Sequence, residues 1–453
     1  MNRTLGLLTT AAAVTLSSFL SPHSDRAASP TSGVALLDVR ALLEAARGAP
    51  PIICALAARS LRGYGWGDHG HGAPVTPLGN VLADTDGDLE LLPAADVERL
   101  LEALALEDPC VRELSVRILG QQRDEAVAGP LVARLGAGDA SLRAVAAFGL
   151  GLARPVRAVE PLVRTLRDAS ADARANAAWA LGSIGDGRAL APVLTLFRDD
   201  QAVVREAAVV AAGRFESTST VALLMRVLRQ DDAPAVRRAA AWALGQLESR
   251  DATPALAEAL SRDAEARVRE MAAWALGETE SRGASAALVT ALRRDADEAV
   301  RETAAWALGN TEDRAAAEAL GAAAAGDQSD DVRGTAAWAL GQLEGHTAPA
   351  GLLRALRDES KDVRLKAAWA LGEIGDAAAQ PALREALGRE TEARTRLALV
   401  RALMKSGERS ERTLTELLSS RDPQVREAAV RGLAGNDAFA PWPWPEPRPR
   451  PFP

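Results

Sequence analysis

Aromatic residues make up only 4% of this 453-residue chain, and Tyr64 is its single tyrosine. Sandwiches and barrels of β-strands usually pack β-branched and aromatic side chains, so this shortage argues against an all-β fold. Hydrophobic residues nevertheless amount to 48% of the chain. Alanine and leucine must supply most of the packing, and this composition favours closely packed helices.

Residues that carry metal or nucleophilic chemistry are also scarce. The chain has four histidines and two cysteines, and it contains no P-loop, no zinc-protease helix and no recognisable Ser/His/Asp set. Its net charge of −8 disfavours binding to a phosphate backbone. We therefore expect no enzyme activity, no cofactor, no bound metal and no nucleic-acid partner.

The amino end carries a long uncharged stretch, residues 5–20. It follows a weakly basic start, and Pro22 comes shortly after its end. This pattern favours a secretory signal peptide over residues 1–28. A membrane-spanning helix usually needs about 20 apolar residues, so the stretch is short for that role. An uncleaved membrane anchor formed by residues 5–20 remains the alternative. We expect an exported protein of the periplasm or cell envelope.

A short motif recurs along the chain at nearly constant spacing. The sequence A-A-W-A-L-G occurs six times, and its last five copies follow at intervals of 32, 32, 32 and 31 residues. Its tryptophans are Trp179, Trp242, Trp274, Trp306, Trp338 and Trp369. A diverged copy with Val210 in the tryptophan position fills the longer gap between the first two. Such a period predicts stacked units that each contact only their neighbours.

An arginine precedes each tryptophan position by five residues and extends the pattern to eleven units over residues 97–436. The members of this arginine ladder are Arg112, Arg143, Arg174, Arg205, Arg237, Arg269, Arg301, Arg333, Arg364, Arg394 and Arg426. They follow acidic turns such as Asp330–Asp331. We therefore expect a structural ladder that ties turn carbonyls and carboxylates together.

Each unit contains two stretches with helical periodicity. In residues 252–277, apolar positions at 255, 256, 259 and 260 form one helical face, and a polar turn at Asp263 separates it from a second helix. We expect Gly277 to end that helix with a left-handed backbone. The sequence thus predicts an all-α chain, an α-solenoid of about eleven stacked two-helix repeats.

The motif V-R-x-x-A-A-x-A-L-G-x-I/L-G-D, which runs here from Val363 to Asp376, resembles the HEAT-like repeats named for phycobilisome lyases. The resemblance covers about three quarters of the chain. It implies a HEAT-like solenoid in which the second helices line the concave surface. The family includes scaffolds, adaptors and a few enzymes, so the resemblance implies no single function.

Two enzyme branches of that family can be compared with the chain directly. Deoxyhypusine hydroxylases are similar proteins that bind iron through His-Glu pairs, whereas the four histidines here precede Ser24, Gly70, Gly72 and Thr347. Nothing beyond the repeat matches the chromophore lyases. We favour a non-catalytic macromolecular binding scaffold. The alternative is a lyase-like enzyme, or one that handles a small molecule or chromophore.

The position of the tryptophans on the second helix leaves two interpretations open. At about 100° per residue, Trp274 lies away from the apolar stripe, beside Glu270 and Glu278. The six tryptophans would then line a concave acidic groove, with Glu270, Glu302 and Glu373 beside them, and bind a partner there. In the other interpretation, each indole fills space between neighbouring repeats.

An aromatic and acidic groove suits a protein or an extended peptide, including proline-rich or cationic segments. Residues 437–453 form a Pro/Trp/Arg-rich tail with Trp442, Trp444, Arg448 and Arg450, and its alternating prolines predict polyproline II. The chain's own tail is therefore a candidate occupant of the groove. A solvated tail is the alternative. Contact with a membrane is expected only through an uncleaved anchor.

The region before the array, residues 29–96, predicts a degenerate pair of capping helices and a glycine-rich insertion. The insertion contains Asp68-His69-Gly70-His71, which is too short a ligand set to predict a metal site. In an oxidising compartment, Cys54 and Cys110 would be able to pair and fasten the cap to the array. Two buried free thiols are the alternative.

Overall fold

The computed structural model describes residues 39–50, 54, 92–122, 125–279, 281–343 and 347–433. All of them belong to one compact unit, Val39–Pro453. The predicted signal segment, the glycine-rich insertion and the Pro/Trp/Arg-rich tail lie outside the described residues.

Helices and turns make up the described part of the chain, and they alternate as the repeat predicts. A short helix, α1, spans Val39–Ala46. The even-numbered helices are the first helices of eleven repeats: α2 Ala94–Ala103, α4 Glu125–Arg134, α6 Val159–Thr165, α8 Leu190–Leu194, α10 Val221–Gln230, α12 Thr253–Arg262, α14 Ser285–Arg294, α16 Ala317–Gly326, α18 Ala350–Ala355, α20 Gln380–Arg389 and α22 Glu411–Leu418.

The odd-numbered helices after α1 are the second helices of the same repeats. They are α3 Pro109–Gln121, α5 Ala140–Ala153, α7 Ala171–Ile184, α9 Ala202–Arg214, α11 Pro234–Gln246, α13 Ala266–Glu278, α15 Glu298–Asn310, α17 Asp330–Gln342, α19 Lys361–Ile374, α21 Ala393–Lys405 and α23 Pro423–Leu433. Each packs against its own first helix and against the second helices of the adjacent repeats. The predicted α-solenoid of two-helix repeats is confirmed.

Small side chains allow this close stacking. In α13, for example, Val268, Ala272, Ala275 and Leu276 are completely buried, as the apolar stripe of the sequence predicts. Ala273, on the other side of the helix, is also fully buried. A second helix in the array is therefore covered by its own first helix and by a neighbour on each side, so most of its circumference is core.

The second helices do not end at the glycine of the A-A-W-A-L-G motif, and this prediction was wrong. Gly277 lies inside α13 and has no left-handed backbone. The left-handed residue comes three positions later, as seen at Gly185 (φ 75°) and Gly375 (φ 66°). The motif glycine instead leaves room for a side chain of the next repeat.

Candidate functional site

The six tryptophans of the motif lie between neighbouring second helices. A Cβ placed on Gly277 would be 2.7 Å from Cζ3 of Trp306, and one on Gly245 would be 2.6 Å from Cζ3 of Trp274. The six pairs, each joining a tryptophan to the motif glycine of the preceding repeat, are Trp179 with Gly151, Trp242 with Gly213, Trp274 with Gly245, Trp306 with Gly277, Trp338 with Gly309 and Trp369 with Gly341.

These contacts bury the indoles. Trp179, Trp242, Trp306 and Trp338 are only 2–7% exposed, while Trp274 and Trp369 keep a partly exposed surface. Of the two interpretations, this burial favours packing between repeats over an open aromatic row, because the polar side of each second helix also faces a neighbouring helix. The packing interpretation describes these contacts. Contact between the partly exposed indoles and a partner remains a prediction.

The glutamates beside the tryptophans are partnered within the chain. Glu270 is buried and lies 3.0 Å from Nη1 of Arg267, while Oε1 of Glu302 accepts a hydrogen bond from the Thr335 hydroxyl. Burial raises the pKa of Glu270 and of Glu302. Glu373 is the more exposed of the three and pairs with Lys405 at 2.7 Å. An open acidic groove is therefore not what this face presents.

The arginine ladder connects consecutive repeats. Nε and Nη2 of Arg269 donate to the two carboxylate oxygens of Asp295 at 2.7 and 2.9 Å. Nη1 of the same guanidinium donates to the carbonyl oxygens of Asp263 and Ala264 at 3.0 and 3.2 Å. The carboxylate raises the pKa of Arg269, although burial opposes that effect. One arginine thus holds its own turn and the turn of the following repeat.

The same arrangement recurs with small changes in distance. The carboxylate partners are Asp168 for Arg143, Asp199 for Arg174, Asp231 for Arg205, Asp263 for Arg237, Asp327 for Arg301, Asp358 for Arg333 and Glu390 for Arg364. In the tenth repeat the ladder residue is Arg396 rather than Arg394. Arg396 donates to the carbonyl oxygen six residues earlier, that of Glu390, as the other ladder arginines do.

Cys54 and Cys110 form a disulfide, with their Cα atoms 5.6 Å apart. Both cysteines are buried in a small apolar cluster with Ala46, Val111 and Leu114. The bond therefore fixes the region before the array to α3, the second helix of the first repeat. These two are the only cysteines in the chain.

A row of exposed charges follows the second helices of the central repeats. We call the surface formed by Glu248, Arg250, Arg282, Glu312 and Arg314 the turn edge; all five residues are exposed. Glu248 and Glu312 have left-handed backbones, with φ of 46° and 52°. Such a backbone costs a residue with a side chain about 1–2 kcal/mol. Arg154 and Glu216 share this left-handed backbone at the equivalent position, and glycine occupies it at 185, 375 and 407.

Two open cavities lie along the turn edge. One, of about 190 Å³, is lined by Glu248, Arg250, Gly277, Glu278, Thr279 and Asn310. The other, of about 480 Å³, is lined by Arg282, Glu312, Asp313, Arg314 and Gln342. Arg250, Arg282 and Arg314 form no ion pair with a described residue, so their guanidinium groups face these cavities and solvent.

The turn edge was missed in the sequence, although a signal for it exists. The segments Glu248-Ser249-Arg250, Glu280-Ser281-Arg282 and Glu312-Asp313-Arg314 recur at the repeat interval. Elsewhere in the described ranges, no three His, Cys, Asp or Glu side chains come together as a metal-ion site. No helix of those ranges is long and apolar enough to cross a membrane.

Comparison with solved structures shows what the fold is similar to. Importin beta is 14% identical, with a TM-score of 0.55 over 87% of this chain and 64% of the importin chain. Kap95p bound to RanGDP is 14% identical, with a TM-score of 0.50 over 76% of this chain and 55% of the other. These identities show similarity of fold alone.

The CpcE–CpcF complex of phycocyanin lyase from Nostoc sp. PCC7120 is 26% identical over 53% of this chain and 91% of that chain, with a TM-score of 0.34. No curated protein sequence matches significantly. A family model described as HEAT repeats matches residues 129–212, 193–277, 253–341, 285–362 and 348–434. A ladder arginine, with the two turns that it holds, forms what we call the arginine clamp. Together with the stacked helix pairs and this recurring clamp, the match shows that the chain belongs to the HEAT-repeat family.

Proposed function

We propose that this protein is a non-catalytic scaffold that binds an extended region of another protein along the turn edge. The observation that carries the proposal is the left-handed backbone of Glu248 and Glu312 beside exposed arginines in neighbouring repeats. Backbone strain at an exposed position motivates a functional role, because nothing in the fold itself requires glutamate there.

The chemistry of the cavities favours a polypeptide over a small apolar ligand. Arg282, Glu312, Asp313, Arg314 and Gln342 are all charged or amide residues. Small-molecule sites are usually lined mainly by apolar and aromatic side chains. Alternating guanidinium and carboxylate groups instead suit a partner whose own side chains carry both charges, and they favour specific orientation along the edge.

The stacked array supports this role mechanically. Buried tryptophans and arginine clamps hold successive repeats in a fixed relation, so that the turn edge presents its charges at regular intervals. Kap95p, a solenoid of similar fold, binds RanGDP. This supports the general suitability of the fold for binding proteins. In our proposal the tryptophans make the array rigid, and the residues of the turn edge contact the partner protein.

We further propose that the protein works outside the cytoplasm. The proposal rests on the uncharged amino-terminal stretch and on the disulfide between Cys54 and Cys110, since disulfides persist mainly in oxidising compartments. Residues 5–20 would direct export or anchor the chain. Fractionation of cells that express the full chain, with trapping of free thiols, tests this placement: a reduced protein in the cytoplasm would contradict it.

The binding proposal is tested with a partner found by photo-crosslinking from positions 282 and 314. The affinity of that purified partner is then measured for the wild type and for R282E/R314E. Reversing two interface charges should weaken binding by about tenfold or more. The matched control is R226E on α10, an exposed arginine on a first helix, which should leave the affinity unchanged.

Equal loss of affinity in R226E and R282E/R314E would mean that the net charge matters and the turn edge does not. A lyase-like or chromophore-handling enzyme is the second candidate function. It rests on the family resemblance, and absorbance of the purified protein in the visible range would favour it. We rank it lower because the described cavities of the turn edge are polar and open.

A further inference from the structure

The last two repeats carry an arginine at the tryptophan position, as the first repeat does with Arg117. Five residues after the ladder arginines Arg396 and Arg426, the chain has Arg401 and Arg431 in place of an indole. The motif glycine is kept as Gly372 before Arg401, but the glycine position before Arg431 differs. Met404 occupies it in the tenth repeat and packs against Gly432 of the eleventh.

These arginines border a cavity between α21 and α23. It has a volume of about 190 Å³ and is lined by Leu397, Arg401, Gln424, Glu427, Ala428 and Arg431. Arg401 is half-buried, and burial, together with the nearby positive charge of Arg431, lowers its pKa. Arg431 is about half exposed and pairs with Glu427 at 2.5 Å. The cavity thus combines two guanidinium groups with the apolar surfaces of Leu397 and Ala428.

Guanidinium groups already stack on aromatic rings on this side of the array. The guanidinium carbon of Arg214 lies 5.9 Å from the ring centre of Trp179, and that of Arg117 lies 5.7 Å from the ring centre of Phe148. Both pairs join side chains of adjacent second helices. An indole placed on Arg401 or Arg431 would repeat a contact that the same fold makes elsewhere.

The end of the array also leaves apolar side chains uncovered. Val430 is 54% exposed and Leu433 is 38% exposed. At the same two positions of an interior repeat, Ala305 and Leu308 are completely buried, because the next repeat covers them. After the eleventh repeat the repeat pattern is not continued in residues 434–453, and the Pro/Trp/Arg-rich tail follows there.

We propose that the tail of the same chain, residues 440–453, folds back over the end of the array, with Trp442 and Trp444 on the guanidinium groups of Arg401 and Arg431. The tail would supply to the last two repeats the indoles that six interior repeats carry in their own second helices. It would also bring prolines and Phe452 to the uncovered surface near Val430.

The length of the chain permits this docking. Trp442 stands nine positions after Leu433, and an extended chain of that length can span up to about 30 Å. Adjacent packed helices lie only about 8–10 Å apart, so the tail reaches α21 as well as α23. The buried tryptophans of the interior repeats are not available as a docking site. The arginine cavity is therefore the surface that the tail fits.

The test compares the full-length wild type with W442A/W444A by hydrogen exchange of the backbone amides in α21 and α23. Two exposed cation–π pairs together are worth about a tenfold change in the docking equilibrium, so these amides should exchange faster in the variant. Amides of α9 and α11 in the same protein serve as the control and should be unaffected. R401Q/R431Q should produce the same local increase.

A combined variant with all four substitutions should exchange no faster at α21 and α23 than either pair alone, because both pairs remove one contact. Unchanged exchange in W442A/W444A would overturn the proposal. Additive effects of the two pairs would overturn it as well, since they would show separate sites. Protection that depends on protein concentration, with a dimer seen by sedimentation, would assign the surface to the tail of a second copy instead.

Discussion

Trp306 packs against Gly277 of the preceding repeat so closely that a Cβ at position 277 would lie 2.7 Å from Cζ3 of the indole. The small residue of one repeat and the large residue of the next therefore form a single contact. This relationship explains why the motif contains both residues.

The first prediction concerns this contact. G277A should lower the free energy of unfolding by about 1–3 kcal/mol, because the new methyl group collides with Trp306 and with the backbone of Ala307. Urea unfolding followed by circular dichroism measures the change. G326A at the end of α16 is the control, since a Cβ there meets nothing within 4 Å. Equal midpoints for the two variants would contradict the prediction.

The second prediction concerns the arginine clamp. R269K should destabilise the array by about 2 kcal/mol, because lysine cannot donate to both oxygens of Asp295 and also to the turn carbonyls. Thermal and urea unfolding of the full chain measure the loss. R262K on α12 removes an exposed guanidinium whose ion-pair partner, Glu258, lies 3.7 Å away. This substitution should change the free energy of unfolding by less than about 0.5 kcal/mol. A loss as large in R262K would argue against a specific role of the clamp.

The third prediction concerns pH. Burial raises the pKa of Glu302, and Asp331 and Glu270 reinforce the effect, while Thr335 and Lys366 oppose it. The folded state therefore holds this proton more tightly than the unfolded state, whose carboxyl has a pKa near 4.5. The wild type thus gains stability as pH falls through the raised pKa, and loses that gain as pH rises.

It follows that E302Q should be more stable than the wild type at pH 7, by less than about 2 kcal/mol, because it removes a buried charge and keeps an acceptor for the hydroxyl of Thr335. The difference should disappear below about pH 4.5, where the wild-type carboxyl is neutral in both states. Urea unfolding across this pH range measures it. A constant difference at all pH values would rule out the titration of Glu302 as its cause.

The fourth prediction concerns the disulfide. Cys54 and Cys110 are 56 residues apart, and closing a loop of that size should stabilise the folded chain by about 4 kcal/mol. Reductant should therefore lower the urea midpoint of the wild type. C54A/C110A should unfold at the lower midpoint with or without reductant. A wild-type urea midpoint that is the same with and without reductant would show that the disulfide does not stabilise the folded chain.

Much of the fold follows from local patterns. Helical periodicity is visible within each short stretch of sequence and predicts the two helices of a unit. The regular recurrence of the tryptophans and ladder arginines predicts that these units stack. The sequence also predicted that the ladder arginines contact turn carbonyls and carboxylates, because Arg269 follows an acidic turn. Its partner Asp295 belongs to the next repeat, and that pairing depends on how consecutive repeats stack.

The candidate site was less predictable. The angle of Trp274 on a helix is fixed by its position in the sequence, but its exposure is not. A second helix in this array has a neighbour on each side, so a residue away from the apolar stripe is still buried. A neighbouring second helix also supplies Lys405 to Glu373, whereas Arg267 pairs with Glu270 within α13. The turn edge remained exposed because its residues lie beyond the helix ends.

The sequence by itself determined the class of fold, the number of repeats and which residues recur at equivalent positions. Those properties arise from hydrophobic periodicity and from side-chain size, which act over a few turns of helix. The tertiary structure alone decided which of the recurring residues face solvent, which carboxylates are paired and that Cys54 meets Cys110. These outcomes depend mainly on contacts between residues 25 or more positions apart, whose distances are set only when the repeats pack against one another.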